Sequence, residues 1–380
     1  MIVIRKLLKN TMIIILSIVG LSIIAYLLFT NFYPNFGGDV SKARLALYEK
    51  CIQFNNGRFH NKNPVPSDRS FFETLQIAYK FFFTEVPNGR PKGDLKPCKI
   101  DSADVAKYAG PARLFWYGHS SFLLQVSGKT ILIDPMFGKV AAPHPLFGSN
   151  RFNKEFPLGI EQLPQIDAVI FSHDHYDHLD YHSVINIKDR TDQFFVPLGV
   201  GAHLEAWKVP SNKITELDWW QETWFDDLKL VCTPAQHFSG RKLTNSQSTL
   251  WGSWVIQSTD TNIYFGGDSG YASHFSKIGE KYGPFDLALL ECGQYNEMWS
   301  EIHMMPEETA QAGIDVKANK VMAIHWGSFK LALHHWKDPI ERFTKKAKNL
   351  NLEIITPKIG EMVIIKDPNN NYTEWWLDLE

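Results

Sequence analysis

Three histidines and three aspartates occupy the ten residues FSHDHYDHLD, positions 171–180, directly after a short apolar run. They contain the pattern H-x-H-x-D-H, formed by His173, His175, Asp177 and His178. In an extended segment the side chains at i and i+2 point the same way, so His173 and His175 can hold one cation together. Asp177 and His178 come where the chain turns toward a helix, and they can serve a second cation. Imidazole and carboxylate groups suit zinc, and also iron or manganese.

Further ligands are expected downstream, where three segments read as a strand that ends in a histidine or an aspartate. They are LVCTPAQHFSG with His237, NIYFGGDSG with Asp268 and VMAIHWGSF with His325. Two glycines before Asp268 let the backbone bend, and its two carboxylate oxygens allow it to bridge two ions. The expected sets are His173, His175 and His237 for one ion and Asp177, His178 and His325 for the other, with Asp268 between them.

The runs around these residues predict the elements that position them. Two β-rich runs, 121–126 and 130–133, are separated by the turn-forming pair Ser127-Gly128. Further strands are expected at 168–171, 228–232, 252–258, 262–265, 287–290 and 321–324, and helices at 306–318 and 339–349. Because strands alternate with helices and also pair in hairpins, the pattern indicates an α/β architecture with mixed sheets.

The ordered ligand set resembles that of the metallo-β-lactamase fold, a four-layer αββα sandwich with its metals at one edge of the two sheets. The motifs WYGHSSFLL, ILIDPMFG, AQHFSGR, TLWGSWVI, GGDSGY, HMMPEE and HWGSF resemble the N-acylphosphatidylethanolamine-hydrolysing phospholipase D group and its bacterial relatives. The likeness runs from about residue 112 to residue 360. It implies a dinuclear metal-dependent hydrolase. The aspartate at 268, where antibiotic-hydrolysing members carry a cysteine ligand, argues against that subgroup.

The resemblance also implies roles beyond the ligand set. Asp134 matches an aspartate that orients the histidine loop by hydrogen bonds, although a turn-forming Asp-Pro pair is the alternative. His119 and His303 lie in family motifs, and either can face the pocket or be an ordinary surface histidine. His303 can protonate a leaving group or hold a phosphate oxygen. We expect Asp177, Asp268 and His303 to act in catalysis, and Asp134 and His119 to support the ligands.

The implied reaction is hydrolysis of a phosphodiester bond in a glycerophospholipid. Phosphatidic acid and an N-acylethanolamine would be the products. Two zinc ions, or iron or manganese, would activate the attacking water and stabilise the developing negative charge. One alternative is hydrolysis of another ester, a lactone or an amide by the same site. Another is a non-catalytic membrane protein on the same fold, against which the complete ligand set argues.

The first thirty residues are much more apolar than the rest of the chain. Arg5, Lys6 and Lys9 precede the uncharged run TMIIILSIVGLSIIAYLLFT at 11–30, which has the length of a bilayer-spanning helix. Since no small-residue cleavage site follows, an uncleaved anchor is favoured over a signal peptide or a buried core helix. The basic flank predicts a cytoplasmic N-terminus and an extracytoplasmic catalytic domain.

We divide the chain into a membrane anchor and linker (1–37), a helical extension packed on the core (38–110) and a catalytic domain (111–380). In the extension, SKARLALYEKCIQF and SFFETLQIAYKFFFTEV place apolar residues at helical spacing. The second stripe includes Phe71, Leu75, Tyr79 and Phe82. We expect it to pack on the main domain, with an aromatic face dipping into the membrane as the alternative.

Charge and cysteine content narrow the function further. The net charge is only -2, with 39 basic and 41 acidic residues, so neither nucleic-acid binding nor a nuclease is expected. The expected partners are the membrane and a phospholipid or other small ester. The four cysteines contain no C-x-x-C pair, which argues against a cysteine metal site. Cys51 and Cys98 can form a disulfide outside the cytoplasm, or all four cysteines can be free buried thiols.

Overall fold

A computed structural model of the chain describes residues 2–63, 65, 71–368 and 372–379. Its helices are α1 (Ile2–Phe32), α2 (Lys42–Tyr48), α3 (Phe71–Phe83), α4 (Ser102–Lys107), α5 (Tyr181–Ile187), α6 (Gly201–Ala206), α7 (His274–Tyr282), α8 (Pro306–Asp315) and α9 (Asp338–Asn349). Its strands are β1 (Phe54–Asn55), β2 (Arg58–Phe59), β3 (Arg113–Trp116), β4 (Phe122–Val126), β5 (Lys129–Ile133), β6 (Ile166–Ile170), β7 (Thr191–Pro197), β8 (Ile214–Leu217), β9 (Glu222–Phe225), β10 (Leu228–Thr233), β11 (Ser253–Gln257), β12 (Asn262–Phe265), β13 (Leu287–Glu291), β14 (Val321–Ile324) and β15 (Met362–Ile364).

Two mixed sheets form the centre of the catalytic part. The first has the strand order β15-β3-β4-β5-β6-β7-β8, and the second has the order β14-β13-β12-β11-β10-β9. Strands β5 to β8 run parallel to one another, as do β12, β13 and β14. The carboxyl ends of each parallel set therefore meet at one edge of its sheet, where loops can carry a site.

The sheets pack face to face because successive side chains of a strand point to opposite faces. Leu114 of β3 joins a core cluster with Trp254 and Tyr264 of the second sheet. Leu123 of β4 belongs to a cluster on the other face, together with Val184 of α5. Helices α7, α8 and α9 add apolar side chains to the first cluster. The layers are thus helix, sheet, sheet and helix, the αββα order expected from the sequence.

Helix α1 projects an apolar surface that the protein does not bury. Within the described part of the chain, its segment Ile4–Phe32 is the one helix long and apolar enough to cross a membrane. The chain behind it turns back onto the catalytic part. Phe36 is only 5% exposed, and Trp207 Nε1 donates a hydrogen bond of 2.7 Å to the carbonyl of Pro34. Part of the segment that we counted with the anchor therefore contacts the catalytic domain.

The first half of the extension packs on the catalytic part. Tyr48 of α2 and the hairpin residues Phe54 and Phe59 form a buried cluster with Leu250 and Trp251. This stretch of the chain therefore contacts the catalytic part through buried aromatic side chains.

The second half of the extension forms the expected helix, α3, but leaves much of its apolar surface open. Leu75 is 49% exposed and Tyr79 is 66% exposed. The expectation that these two side chains pack on the main domain is therefore wrong. The side chains of Phe71 and Phe82, which belong to the same stripe, lie outside the described ones.

The cysteines do not form a disulfide. Cys51 and Cys98 are half-buried free thiols, and Cys232 and Cys292 are buried free thiols. The disulfide alternative for Cys51 and Cys98 is therefore wrong.

Candidate metal centre

The candidate ligands reach one edge of the two sheets from the ends of separate strands. His173 and His175 follow β6, and Asp134 follows the neighbouring parallel strand β5. In the second sheet, Asp268 follows β12 and His325 follows β14. The strand ends thereby bring residues that are distant in sequence into one site.

The first cluster consists of His173, His175, His237 and Asp268, whose ligand atoms all lie within 4.8 Å of one another. The Nε2 atoms of His173 and His237 lie 2.9 and 3.1 Å from Nδ1 of His175. Tetrahedral zinc with nitrogen ligands about 2 Å away holds those nitrogens roughly 3.3 Å apart. The three imidazoles expected for one ion are therefore grouped at a spacing that suits one ion.

The second cluster consists of His119, Asp177, His178 and His325, again with ligand atoms within 4.8 Å. Asp177 Oδ2 lies 2.8 Å from His119 Nε2, 3.5 Å from His178 Nε2 and 3.8 Å from His325 Nε2. The three residues expected for the other ion are thus together. His119, which we expected only to support the ligands, lies among them.

Asp268 lies between the two clusters. Its Oδ2 atom is 3.9 Å from His173 Nε2 and 3.8 Å from His237 Nε2 on one side, and 3.2 Å from His178 Nε2 on the other. Its Oδ1 atom is 3.1 Å from Nδ1 of His325. One carboxylate therefore faces ligands of both clusters, as a bridging residue must.

Two ligand atoms of this centre, His178 Nε2 and Asp268 Oδ1, are buried and form no hydrogen bond with the described residues, because their polar neighbours at 3.2 and 3.1 Å are not aligned for one. A buried polar atom without a partner costs free energy, so native proteins rarely keep one. A cation between these atoms would satisfy both. The residues present therefore fit a divalent metal, with imidazole and carboxylate as the donor set.

The ionisation states also suit metal binding, which needs neutral imidazoles and charged carboxylates. Burial lowers the pKa of His173, His237 and His325 well below the usual range. Burial alone would raise the pKa of Asp268, but His178 and His325 beside it hold that pKa well below its usual range. For His178, burial lowers the pKa, but the surrounding carboxylates outweigh it and raise the pKa well above normal. The carboxylates around His178 thus favour positive charge at this position, which a proton on the ring or a bound cation would supply.

Asp134 fixes the histidine loop by hydrogen bonds to Ser172 and His178. It is fully buried, and its Oδ2 accepts hydrogen bonds of 2.6 Å from His178 Nδ1 and from the Ser172 hydroxyl. Its Oδ1 accepts a bond of 2.7 Å from the Ser172 backbone. Because Nδ1 of His178 is bound to Asp134, its Nε2 is directed at the clusters. Ser172 also lies 2.9 Å from Nδ1 of His173, and we did not anticipate its part in the site.

The backbone is strained where it delivers three of these side chains. His119, Asp134 and His325 have φ angles of 55°, 39° and 65°, which few residues other than glycine adopt. Two of them brace each other, because the His325 backbone N donates to the His119 carbonyl at 3.1 Å. Strained backbone of this kind is common at functional sites.

His303 is held at the same edge by a glutamate that sequence reasoning missed. Its Nδ1 lies 2.6 Å from Glu291 Oε1, and Glu291 Oε2 accepts a bond of 2.6 Å from the Ser269 backbone. Burial would lower the pKa of His303, but the Glu291 carboxylate raises it above its usual value. His303 also forms a third group with Asp268 and His325, with ligand atoms within 4.8 Å. Glu291 ends β13, so the rule that strand ends carry site residues could have found it.

Two further buried residues join the ligand-bearing loops to each other. Asp174, between His173 and His175, accepts hydrogen bonds from the Gly240 backbone at 2.8 Å and from the Thr249 hydroxyl at 3.0 Å. Arg241 Nη1 donates to the carbonyl of Asp174 at 2.5 Å and to that of Leu179 at 2.8 Å. The loop after β10, which carries His237, is thereby fixed against the loop after β6. Arg241 belongs to the AQHFSGR motif, but its partners are visible only in the fold.

Comparison with known families agrees with this geometry. The sequence model of the protein family described as the beta-lactamase superfamily domain matches residues 129–326, which is more than half of the chain. The chain belongs to the beta-lactamase superfamily. It is therefore a metal-dependent hydrolase of the metallo-β-lactamase fold, and its clusters of histidine and aspartate indicate divalent metal binding.

Proteins from very different organisms are similar to this chain in sequence. An uncharacterized protein of Mycobacterium tuberculosis is 38% identical over 347 residues, which cover 90% of this chain and 91% of that protein. The N-acyl-phosphatidylethanolamine-hydrolyzing phospholipase D 1 of Caenorhabditis elegans is 31% identical over 264 residues, which cover 65% of this chain and 74% of that protein. The chain thus resembles the phospholipase group suggested by its motifs.

A solved structure shares the fold. The isothiocyanate hydrolase from Delia radicum gut bacteria has a TM-score of 0.53 and 22% sequence identity, covering 66% of this chain and 98% of that chain. At this identity the likeness concerns the fold alone.

Proposed function

We propose that this protein is a dinuclear metal-dependent phosphodiesterase of the phospholipase D type, acting on N-acylphosphatidylethanolamine-like glycerophospholipids. The observation that carries the dinuclear part is the position of Asp268, whose carboxylate faces both ligand clusters. The likeness to the C. elegans phospholipase supports the substrate class. Two zinc ions are the proposed cofactors, with iron or manganese as alternatives.

The first ion would be held by His173, His175 and His237, and the second by Asp177, His178 and His325, with Asp268 shared. When bound, such ions lower the pKa of a coordinated water and polarise the phosphoryl oxygens. Asp134 keeps His178 in one orientation and its Nδ1 protonated. His119 contributes to the second cluster through its contact with Asp177.

His303 is the proposed proton donor. Glu291 bonds Nδ1 of its ring and stabilises the protonated form. In the proposed step a water oxygen bonds to phosphorus and the bond from phosphorus to the N-acylethanolamine oxygen breaks. The proton of His303 goes to that leaving oxygen, one proton of the attacking water passes to solvent, and His303 takes up a new proton from solvent, so the products are phosphatidic acid and an N-acylethanolamine. A proton donor is valuable here because an alkoxide is a poor leaving group at neutral pH.

We further propose that α1 is an uncleaved, single-pass anchor with its N-terminus in the cytoplasm. Its length and exposed apolar surface support this role, and the basic residues Arg5, Lys6 and Lys9 precede the apolar run. The catalytic domain would then be extracytoplasmic. The division into anchor, extension and catalytic domain at 37 and 110 is part of the same proposal.

The test combines metal analysis with a substrate panel. We expect close to two transition-metal ions per freshly purified chain. We also expect release of phosphatidic acid from N-acylphosphatidylethanolamine vesicles that stops on chelation and returns with zinc. The variant His175→Asn should lose the activity, whereas His182→Asn, at an exposed histidine of α5, should keep it. Less than one ion per chain, or hydrolysis of only a lactone, an amide or a non-phosphate ester from the panel, would overturn the proposal.

A further inference from the structure

Helix α1 touches the catalytic domain before the helix ends. The Tyr26 hydroxyl accepts a hydrogen bond of 3.2 Å from the backbone N of Leu243. The rings of Phe29 and Tyr33 lie 6.1 and 5.4 Å from the ring of His144, between ring centroids. At a rise of about 1.5 Å per residue, Tyr26 lies roughly 9 Å back along the helix from Phe32. Two loops of the catalytic domain therefore lie beside the last turns of α1, and not beyond its end.

Each of these loops presents a leucine to the outside. Leu243 is 87% exposed, and Leu146, two residues after His144, is 83% exposed. A single exposed leucine is ordinary in a soluble protein, but these two flank one apolar helix. The helix turns that they flank carry Tyr26, Phe29 and Phe32, and aromatic residues are enriched where helices meet the membrane interface.

We propose that Leu243 and Leu146 insert into the lipid bilayer beside α1, so that these two loops and the helix form one membrane-contact surface. The occupant of the surface is lipid, at the boundary between headgroups and acyl chains. This inference rests on the proposed role of α1 as an anchor. It goes further, because an anchor on a free linker would leave both leucines in water.

The loop that bears Leu243 is also the loop that bears a metal ligand. It runs from His237 through Arg241, and the Arg241 guanidinium donates to the carbonyls of Asp174 and Leu179 beside the other ligands. The same guanidinium donates to the carbonyl of Asn35, just after α1, at 2.5 and 2.9 Å. The membrane-contact surface is thus joined to the ligand loops by one buried side chain. The metal centre is held at a fixed height over the bilayer.

The test places a fluorescent reporter at single positions of the full-length protein in phosphatidylcholine vesicles. Cys51 and Cys98, the two half-buried thiols, are first changed to Ser so that only the introduced cysteine is labelled. The reporter is then attached at Leu243→Cys or Leu146→Cys, where high exposure means that substitution leaves packing intact. Quenching is measured with lipids that carry bromine on their acyl chains.

Two further positions serve as references. Ile18→Cys, in the middle of α1, reports insertion of the helix itself. Trp224→Cys is a matched control, because Trp224 is also highly exposed, at 67%. It pairs with Lys229 at the start of β10, whereas His237 follows the end of β10. Position 224 therefore lies at the other end of this strand from the metal centre. We expect brominated lipid to quench at least half of the emission at positions 18, 243 and 146, and to leave position 224 within a tenth of its value.

The possible outcomes test the anchor, the lipid-contact surface and the orientation of the protein separately. Quenching at position 18 without quenching at 243 or 146 overturns the lipid-contact surface and leaves the anchor standing. Absence of quenching at 18, 243 and 146 overturns both. Equal quenching at 224 also overturns the inference, because the protein would then lie on the membrane without the orientation described. No hydrolysis is read in this experiment, so it does not depend on the proposed phospholipase activity.

Discussion

The carboxylate of Glu291 lies 2.6 Å from Nδ1 of His303 and also accepts a hydrogen bond from the backbone of Ser269, the residue after Asp268. Glu291→Gln keeps the size of the side chain and the acceptor for Ser269 but removes the charge that favours protonated His303. We expect turnover to fall on the order of 10²-fold or more, the range of general acid catalysis, with metal content unchanged. Steady-state kinetics and elemental analysis measure the two effects.

The double variant Glu291→Gln/His303→Asn distinguishes this role from a general loss of structure. If Glu291 acts through His303, the double variant should be no slower than the slower of the two single variants, because residues that act as a unit are not additive. Multiplying losses would show that Glu291 has a separate role.

Asp268→Ala and His175→Ala should each lose nearly all turnover while the protein stays folded. Asp268 faces both clusters, and His175 lies within 3.1 Å of ring nitrogens on His173 and His237. Removal of either residue takes away a ligand position and with it the activated water. Turnover and bound metal are measured together. If Asp268→Ala kept more than a tenth of the wild-type rate, the bridging role would be wrong.

Asp134→Ala should have a milder effect, with metal affinity or activity reduced on the order of 10 to 100-fold. Asp134 touches no ion site directly, but it holds His178 Nδ1 and the Ser172 hydroxyl. Asp134→Asn should lie between the wild type and the alanine variant, because one oxygen can still accept a bond. Competition with a chelator of known affinity measures the loss. A loss as large as that of a ligand variant would contradict the orienting role.

The strands that position the site are visible in the sequence because each is a short apolar run that ends in a ligand. The expected bounds of β12 and β14 agree with the structure residue for residue. Among the strands of the two sheets, we did not predict β3, β7, β8, β9 and β15, and the last three of these are short edge strands with partly exposed side chains. Such strands depend on pairing with a neighbour and less on their own pattern.

The same distinction applies within the site. All seven candidate ligands lie at one sheet edge, as the order of motifs suggested. The contacts of Arg241 with Asp174 and Asn35 join loops that are distant in sequence. The spacing of residues within either loop therefore does not predict them. The exposure of Leu75 and Tyr79 in α3 was missed for the reason that an amphipathic stripe predicts an apolar partner but does not identify it.

A buried histidine outside the metal centre makes stability depend on pH. Burial, with a smaller contribution from Lys277, lowers the pKa of His274 to about 3, whereas an unfolded chain has a histidine pKa of about 6.5. Below about pH 6.5 the unfolded chain takes up a proton that the folded chain refuses, so stability is lost as pH falls.

His274→Gln should reduce this sensitivity, because Gln can keep the bond to the Ser269 hydroxyl that His274 makes at 3.2 Å. Between pH 7 and pH 5 the wild type should lose about 2 kcal/mol of unfolding free energy through this residue, and the variant should not. Melting temperatures of both proteins at the two pH values measure the difference. Parallel shifts in the two proteins would show that His274 is not responsible.

The contact between Arg241 and the segment behind α1 predicts where the chain can be shortened. A chain that begins at Tyr33 keeps Pro34, the Asn35 carbonyl bound by Arg241 and the buried ring of Phe36. A chain that begins at Gly38 loses all three and leaves part of a buried guanidinium without an acceptor, which costs free energy.

We expect the chain that begins at Tyr33 to retain metal like the full-length protein, and the chain that begins at Gly38, called the second chain, to lose it to a chelator about 10 to 100-fold more readily. Arg241→Gln in the full-length protein should lose metal at least as readily as the second chain, since it removes the bonds to Asn35 and also those to Asp174 and Leu179. Equal metal retention by both shortened chains would show that residues 33–37 are a passive linker.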